Sequence, residues 1–281
     1  TNKFERNWNT DKSFNLDLLK VFCGTCINVL CGKDKKIDLA VGLPISIFNS
    51  AKQPLKDMLQ GLKLNVKVND GDYKTVTINS VFVFPQGAGA YYATIFDTKG
   101  DIINYDLANS SCAFIDVGYR TVDYLIMEKG KKGINVLDSL SGSLEDEGMN
   151  IAMNYIAQSL HNDGHGVVDL IDIEKAILWS NGKMEHGQET IDLRKYQALA
   201  YEELADKIKN KISIQWNKTA NTIPVIYLTG GGAVDLHPYM KNHFKQLKIQ
   251  NNGQYANGIG YLSAQARFLK NEVSQQSTVE A

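Results

Sequence analysis

No stretch of this chain stays apolar for the roughly 20 residues that a helix needs to cross a bilayer, and the opening Thr1 to Lys12 is too polar for a secretory leader. A membrane partner is therefore not expected, and the cytoplasm is the default location. An excess of one charge is also missing. Thirty Lys and Arg stand against 31 Asp and Glu, with no basic block, so the footprint of a nucleic-acid binder is lacking and direct contact with nucleic acid is not expected. Cysteine is scarce, at four in 281 residues. Cys23-Gly-Thr-Cys26 followed by Cys31 has a spacing found in zinc and redox sites, but no second pair accompanies it. The surrounding 16–30 has helix-like apolar periodicity, which favours small buried hydrophobes on a helix. His161 and His165 flank Asp163 in a Gly-containing turn, read as a solvated loop, and the other three His form no pattern. The chain opens on Thr1 rather than Met, which leaves a processed protein or a piece of a longer one.

What is present is an ordinary globular composition, 43% hydrophobic and 22% charged, with apolar material for two cores. The first part reads as a helix over 13–31, a strand over 37–44 ending at Pro44, and a helix over 50–61. Next come two alternating runs, 62–68 and 73–78, around the hairpin signal Asn69-Asp-Gly71-Asp. Val81 to Phe84 reads as a further strand, and Pro85 as the opening of a helix of small residues, Gly87-Ala-Gly89-Ala90, suited to close packing or close approach of a ligand. A polar gap over 97–110 marks the expected domain boundary. Beyond it lie three strands, 112–117, 121–128 and 133–138, joined by short turns and so antiparallel. Helices over 145–160 and 170–180, a polar hairpin, a long helix over 193–212, a strand over 223–229 and a helix over 236–246 follow. The polar tail from Asn271 is expected to fray. Three antiparallel strands, then helix, strand and helix on one mixed sheet, is the ribonuclease-H-like arrangement.

Two motifs carry chemistry. In Phe114-Ile-Asp116-Val-Gly118-Tyr119-Arg120-Thr121-Val-Asp123 an apolar strand runs into a turn with an acid, a glycine and a hydroxyl. Asp116 at the strand end could hold a metal-bound water, Gly118 lets the backbone turn close to an anion, and Thr121 offers its hydroxyl. Arg120 either contacts phosphate or points to solvent, and Asp123 is either a ligand or a satisfied polar residue of the second strand. In Pro224-Val-Ile-Tyr-Leu-Thr229-Gly230-Gly231-Gly232-Ala233 a second strand ends in small residues that leave room for a ring or a phosphate.

Together and in this order, the two motifs resemble the second phosphate loop and the adenosine loop of the actin, heat-shock chaperone and sugar-kinase superfamily. Ala40-Val-Gly42-Leu-Pro44, Phe84-Pro85-Gln86-Gly87-Ala-Gly89-Ala-Tyr91 and Tyr255-Ala-Asn257-Gly258-Ile-Gly260-Tyr261 narrow the resemblance to bacterial actin-like proteins of the ParM/StbA type. That resemblance implies an α/β actin-like fold, two ribonuclease-H-like domains around a nucleotide cleft, divided as 1–105, 106–255 and a return over 256–281. It implies an ATPase, with GTP as an alternative substrate, that uses Mg²⁺ with ATP or GTP and forms head-to-tail filaments for plasmid segregation, with a DNA-binding adaptor protein as a candidate partner. Gln86 would position the attacking water and Asp116 would reach Mg²⁺ through water. Gly118, Tyr119, Arg120, Thr121, Gly230, Gly231 and Gly232 would surround the nucleotide, with Glu174 and Lys175 either ribose contacts or a solvated helix face. The superfamily's first phosphate loop, of the form Asp-x-Gly-x-Gly, has no counterpart here, which makes the expected site half a clamp. The competing functions are a sugar or metabolite kinase, for which no carboxylate base motif is found, and a nucleotide-binding regulator that does not polymerise.

Overall fold

The computed structural model describes residues 16–31, 35–130 and 133–279. Two compact units emerge among the described residues: one holds those up to Leu39 with Gln53–Phe82, the other Ala40–Lys52 with those from Val83.

The first unit draws on helix α1 (Leu16–Leu30), strand β1 (Lys35–Leu43), helix α2 (Ile45–Leu59), β2 (Lys63–Val66) and β3 (Lys74–Pro85). The strands form one sheet in the order β1-β3-β2. β2 and β3 pair antiparallel from Lys63 opposite Thr77 to Val66 opposite Lys74, as the Asn-Asp-Gly-Asp turn predicts, with Asn69 in the left-handed region. Lys74 donates its ammonium to the carbonyls of Asn28 and Cys31 at the C-terminal end of α1, where the helix dipole favours a cation. Cys23 is half-buried and Cys26 exposed on that helix. Two sequence expectations change here. The run 81–84 is not a separate strand but the end of β3, and Pro85 closes that strand instead of opening a helix. α2 starts directly after Pro44, five residues ahead of the expected start.

The second unit opens with α3 (Ala88–Ile95), a short α4 (Tyr105–Ala108), and strands β4 (Cys112–Val117), β5 (Val122–Gly130), β6 (Gly133–Val136) and β7 (Gly142–Leu144). Helices α5 (Met149–Leu160) and α6 (Leu170–Trp179), the hairpin β8 (Lys183–His186) and β9 (Glu189–Asp192), and the long helix α7 (Arg194–Trp216) follow. β10 (Ile226–Thr229), α8 (Ala233–Met240), β11 (Leu247–Ile249) and α9 (Ala256–Val279) complete it. The main sheet runs β11-β10-β4-β5-β6, with β7 also on β5. β4, β5 and β6 are antiparallel, whereas β10 is parallel to β4 and β11 to β10, so the expected ribonuclease-H-like sheet is present. The three-residue strands β7 and β11 are too short to give a pattern in sequence. Helix α9 continues to Val279 through the tail expected to fray.

β4 is buried at all six positions because both of its faces are covered. Ala113, Ile115 and Val117 face a core built with α5, α7 and α8. α7 meets that core with Tyr196, Ala200, Tyr201, Leu204, Ala205, Ile208, Ile212 and Trp216, whose three- and four-residue spacings keep one face inward along the helix. On the opposite face Cys112 and Phe114 pack with Leu125 and Met127 of β5 against Ala88, Tyr91 and Ile95 of α3. The alternation of a strand puts Asp116 on this second face, one step past Phe114, where the apolar column ends.

Candidate functional site

Asp116 is 6% exposed. Its cross-strand partner is Asp123, so two carboxylates sit side by side on one face of the sheet. Asp123 accepts hydrogen bonds from the Ser143 and Thr121 hydroxyls, which answers the question its sequence position left open in favour of a satisfied buried acid. Burial, and secondarily the Asp123 charge, push Asp116 up to about 6, against the opposing hydrogen bond from Asn257. Burial likewise raises Asp123. The buried Tyr261 phenol is raised by desolvation and by both acids. Its ring stacks on Phe84 at 5.3 Å, and its hydroxyl lies where a Cβ on Gly42 would come within 2.2 Å, so Gly42 is required by packing.

The turn after β4 is held from behind. The backbone N–H groups of Gly148, Met149 and Asn150, at the start of α5, donate to the carbonyls of Arg120, Gly118 and Tyr119 at 2.9, 3.0 and 2.8 Å. A trans amide opposes its C=O and N–H, so the N–H groups of Tyr119, Arg120 and Thr121 point together away from α5. Those N–H groups are left on the side where an anion could be received. The Gly118 N–H closes the turn on Thr121 O at 2.9 Å. Gly148 allows the contact, since a Cβ there would lie 2.4 Å from Tyr119 O. The Arg120 guanidinium pairs with Asp146 at 2.9 Å on the surface.

β10 delivers the second motif beside the first. Thr229 is in parallel register with Asp116, and its hydroxyl and the Gly230 N–H both donate to Gly253 O at 3.2 Å. The three glycines are not equivalent. Gly230 has φ +86°, and a Cβ on it would stand 2.4 Å from Asp116 Oδ1 and from Val117 O. Gly232 packs on Met149 and Val117 with no room for a methyl, while Gly231 faces open space. Gly231 alone of the three borders open space, whereas Gly230 and Gly232 are already required by the backbone turn and by packing.

Gln86 follows Pro85 at the end of β3 and donates its main-chain N–H to Leu43 O at 2.6 Å. Gly87, at φ +86°, then turns the chain into α3 where a Cβ would strike Leu125. One side chain spans from this turn to the acid: Asn257 on α9 accepts from Gly87 N at 3.0 Å and donates to Asp116 Oδ2 at 2.5 Å. α9 and α3 cross at their glycines, with a Cβ on Gly260 falling 1.7 Å from Gly89 O, so the small residues of α3 serve helix packing. Gln86, Asp116, Gly118, Thr121 and Gly230 are thus linked by the turn, by Asn257 and by direct contact. Glu174 and Lys175 stand on α6, half-buried and exposed, with Lys175 paired to Asp172 at 3.7 Å. Thr229 and Asn257 stood inside motifs quoted from sequence but were given no role of their own, and Gly148 and Gly253 were not singled out. The one clue to Asn257 was a poor helix former placed near a helix start between small residues.

The donors fit a magnesium nucleotide. Carboxylate, hydroxyl and backbone oxygens are hard ligands, and among the described residues no group of three or more His, Cys, Asp or Glu could cage a metal alone. Mg²⁺ on one or two carboxylates, water and phosphate needs no such cage.

Comparison with known proteins follows the same line. The N-terminal domain model of actin-like proteins matches residues 2–89, and the C-terminal model of the archaeal MreB-like actin homologue matches 114–242. Among solved structures the chain is similar to a 15-stranded ParM filament from Clostridium botulinum, at 27% identity and TM-score 0.73 over 90% of this chain and 74% of that one. A non-polymerisable quadruple mutant of pCBH ParM gives 26% and 0.73 over 90% and 76%. An archaeal actin homologue in complex with ADP gives 21% and 0.71 over 87% and 76%. No curated protein matches in sequence. With a mixed sheet of this order, glycine-crossed helices and both halves matched by actin-like family models, the chain is an actin-like protein, similar to solved structures of the ParM type.

Proposed function

We propose that this protein binds a magnesium nucleotide at the β4–β5 turn, hydrolyses its terminal phosphate bond, and assembles head to tail into filaments whose lifetime the hydrolysis limits. The observation that carries the reading is the buried Asp116 carboxylate, joined through the Asn257 amide to the Gly87 N–H of the Gln86 turn. Burying an acid that is ionised at neutral pH, with another acid beside it, is costly for a fold and makes sense for a group that meets a cation.

In this reading the turn N–H groups of residues 119–121 receive phosphate, and Gly231 leaves the open face against which the base lies. Asp116 orients metal-bound water, and Gln86 orients the attacking water. A neutral amide suffices for that last task, because phosphoryl transfer depends chiefly on placement and charge stabilisation. Bound Mg²⁺ would neutralise charge developing on the phosphate oxygens. Support for nucleotide comes from the archaeal homologue's complex with ADP and a Bacillus thuringiensis ParM with ATP, and support for filaments from the Clostridium botulinum ParM filament. Plasmid segregation through a DNA-binding adaptor is the cellular role that goes with this reading.

Phosphate release and light scattering across a protein concentration series, with Mg-ATP and with Mg-GTP, test it. Expected is a threshold concentration above which both rise together. Turnover proportional to protein with no scattering would move the reading to a kinase or regulator.

A further inference from the structure

Asn257 occupies the second position of α9, where a side chain commonly faces solvent or caps its own helix. Here it does neither. Its Oδ1 accepts from Gly87 N at 3.0 Å and its Nδ2 donates to Asp116 Oδ2 at 2.5 Å. The two ends of an amide are often assigned by convention, but Gly87 N–H can only donate, so it fixes the oxygen on its own side and turns the NH₂ towards the carboxylate. Residues 170 and 141 positions away in sequence are thus joined through one rigid planar group.

The backbone carrying that group has no freedom to drift. A Cβ on Gly89 of α3 would meet Asn257 O at 2.5 Å and its Cα at 2.6 Å, and Gly260, one turn on, touches Gly89 O. The Gln86–Gly87 turn is pinned from its other side by Leu43 O. A shift of α3 or α9 therefore has to be taken up at the Asn257 amide, and from there at Asp116.

We propose that Asn257 is a positioning residue for hydrolysis, holding the Gln86 turn and Asp116 in one geometry so that the attacking water and the metal-bound water are placed together. This rests on the nucleotide-hydrolysing reading above. In this role Asn257 acts through the two residues it joins.

The experiment uses the full chain with Asn257→Ala and Asn257→Asp. The aspartate keeps an acceptor for Gly87 N–H but replaces the fixed amide donor with a carboxyl group that either repels the Asp116 charge or must share its proton, so it separates the two arms. Hydrogen exchange at the Gly87 amide, read without nucleotide, should quicken at least tenfold in Asn257→Ala and stay near the parent rate in Asn257→Asp. Mg-ADP affinity by calorimetry should stay within about threefold of the parent in Asn257→Ala, while kcat falls on the order of 10²-fold, the cost of misplacing reacting groups by about 1 Å. Asn257→Asp should lose kcat to a similar extent. Gln86→Ala combined with Asn257→Ala should be no slower than the worse single variant, because both disturb one water. Unchanged Gly87 exchange in Asn257→Ala would overturn the bridge, full activity in Asn257→Asp would overturn the Asp116 arm, and multiplicative effects in the double variant would overturn the coupling. A parent protein that binds no Mg-nucleotide would instead defeat the functional reading, a result the calorimetry shows before any variant is made.

Discussion

Asp116→Asn should make the nucleotide-free protein more stable at neutral pH while abolishing Mg²⁺-dependent turnover. The carboxyl is buried beside Asp123 and pushed from 3.8 up to about 6. A folded-state pKa above the unfolded value means that the folded protein binds the proton more tightly. Stability from this group is then fully present below about pH 4, is lost as pH rises to about 6, and is flat above it. A shift of about two units corresponds to ~3 kcal/mol of penalty for holding the charge at pH 8. The amide is isosteric, carries no charge, and still presents an oxygen to the Asn257 NH₂, but its own NH₂ needs an acceptor. Allowing for that, a net gain of ~1–3 kcal/mol is expected at pH 8, and it should vanish near pH 4, where the parent's Asp116 is already protonated. Urea unfolding of both proteins at pH 4, 6 and 8 with a chelator present reads this directly, and phosphate release on the same samples reads the loss of function. Raised stability with lost activity is the signature of a site whose strain is kept for its ligand. If the variant were less stable at pH 8, or its gain the same at every pH, the buried charge would be satisfied by the fold and the reasoning from metal need would fail.

Gln86→Ala should slow hydrolysis on the order of 10²-fold with nucleotide affinity retained; a collapse of affinity in calorimetry would make Gln86 a binding or structural residue. Gly230→Ala should cost ~2–3 kcal/mol in unfolding experiments, since it forces φ +86° on a side chain and drives a methyl to 2.4 Å from Asp116 Oδ1. Gly231→Ala should fold like the parent, because its methyl meets nothing within 4 Å, and should weaken nucleotide binding if the base lies there; unchanged affinity would move the base elsewhere. Gly260→Ala should cost ~3 kcal/mol or more by prising α3 from α9, and a variant with parental stability would show that the crossing can relax.

The parts of this molecule that were legible in sequence are those fixed by local pattern. β4 is a run of six residues covered on both faces, α7 places its buried residues at helical spacing, and Asn69-Asp-Gly71-Asp specifies its hairpin whatever lies around it. The Asp116 turn was legible for the same reason, since acid, glycine and hydroxyl fall within six residues. Pro85 misled because proline suits both a first helical turn and the last residue of a strand. What decided between them was the N–H of Gln86, taken by Leu43 from a strand over forty residues earlier. The glycine triplet shows the limit most clearly. Gly230, Gly231 and Gly232 are identical in sequence, yet one is required by φ, one by Met149 from α5, and one by nothing inside the fold. Asn257 is different: it sits in a stretch that the sequence offered, but its two partners are distant in sequence and its chemistry exists only once α3, α9 and β4 have met. Local pattern therefore locates the acid and its turn, while tertiary packing selects the residue that ties that acid to the Gln86 turn, and it is the second kind of residue that the Gly87 exchange measurement is designed to expose.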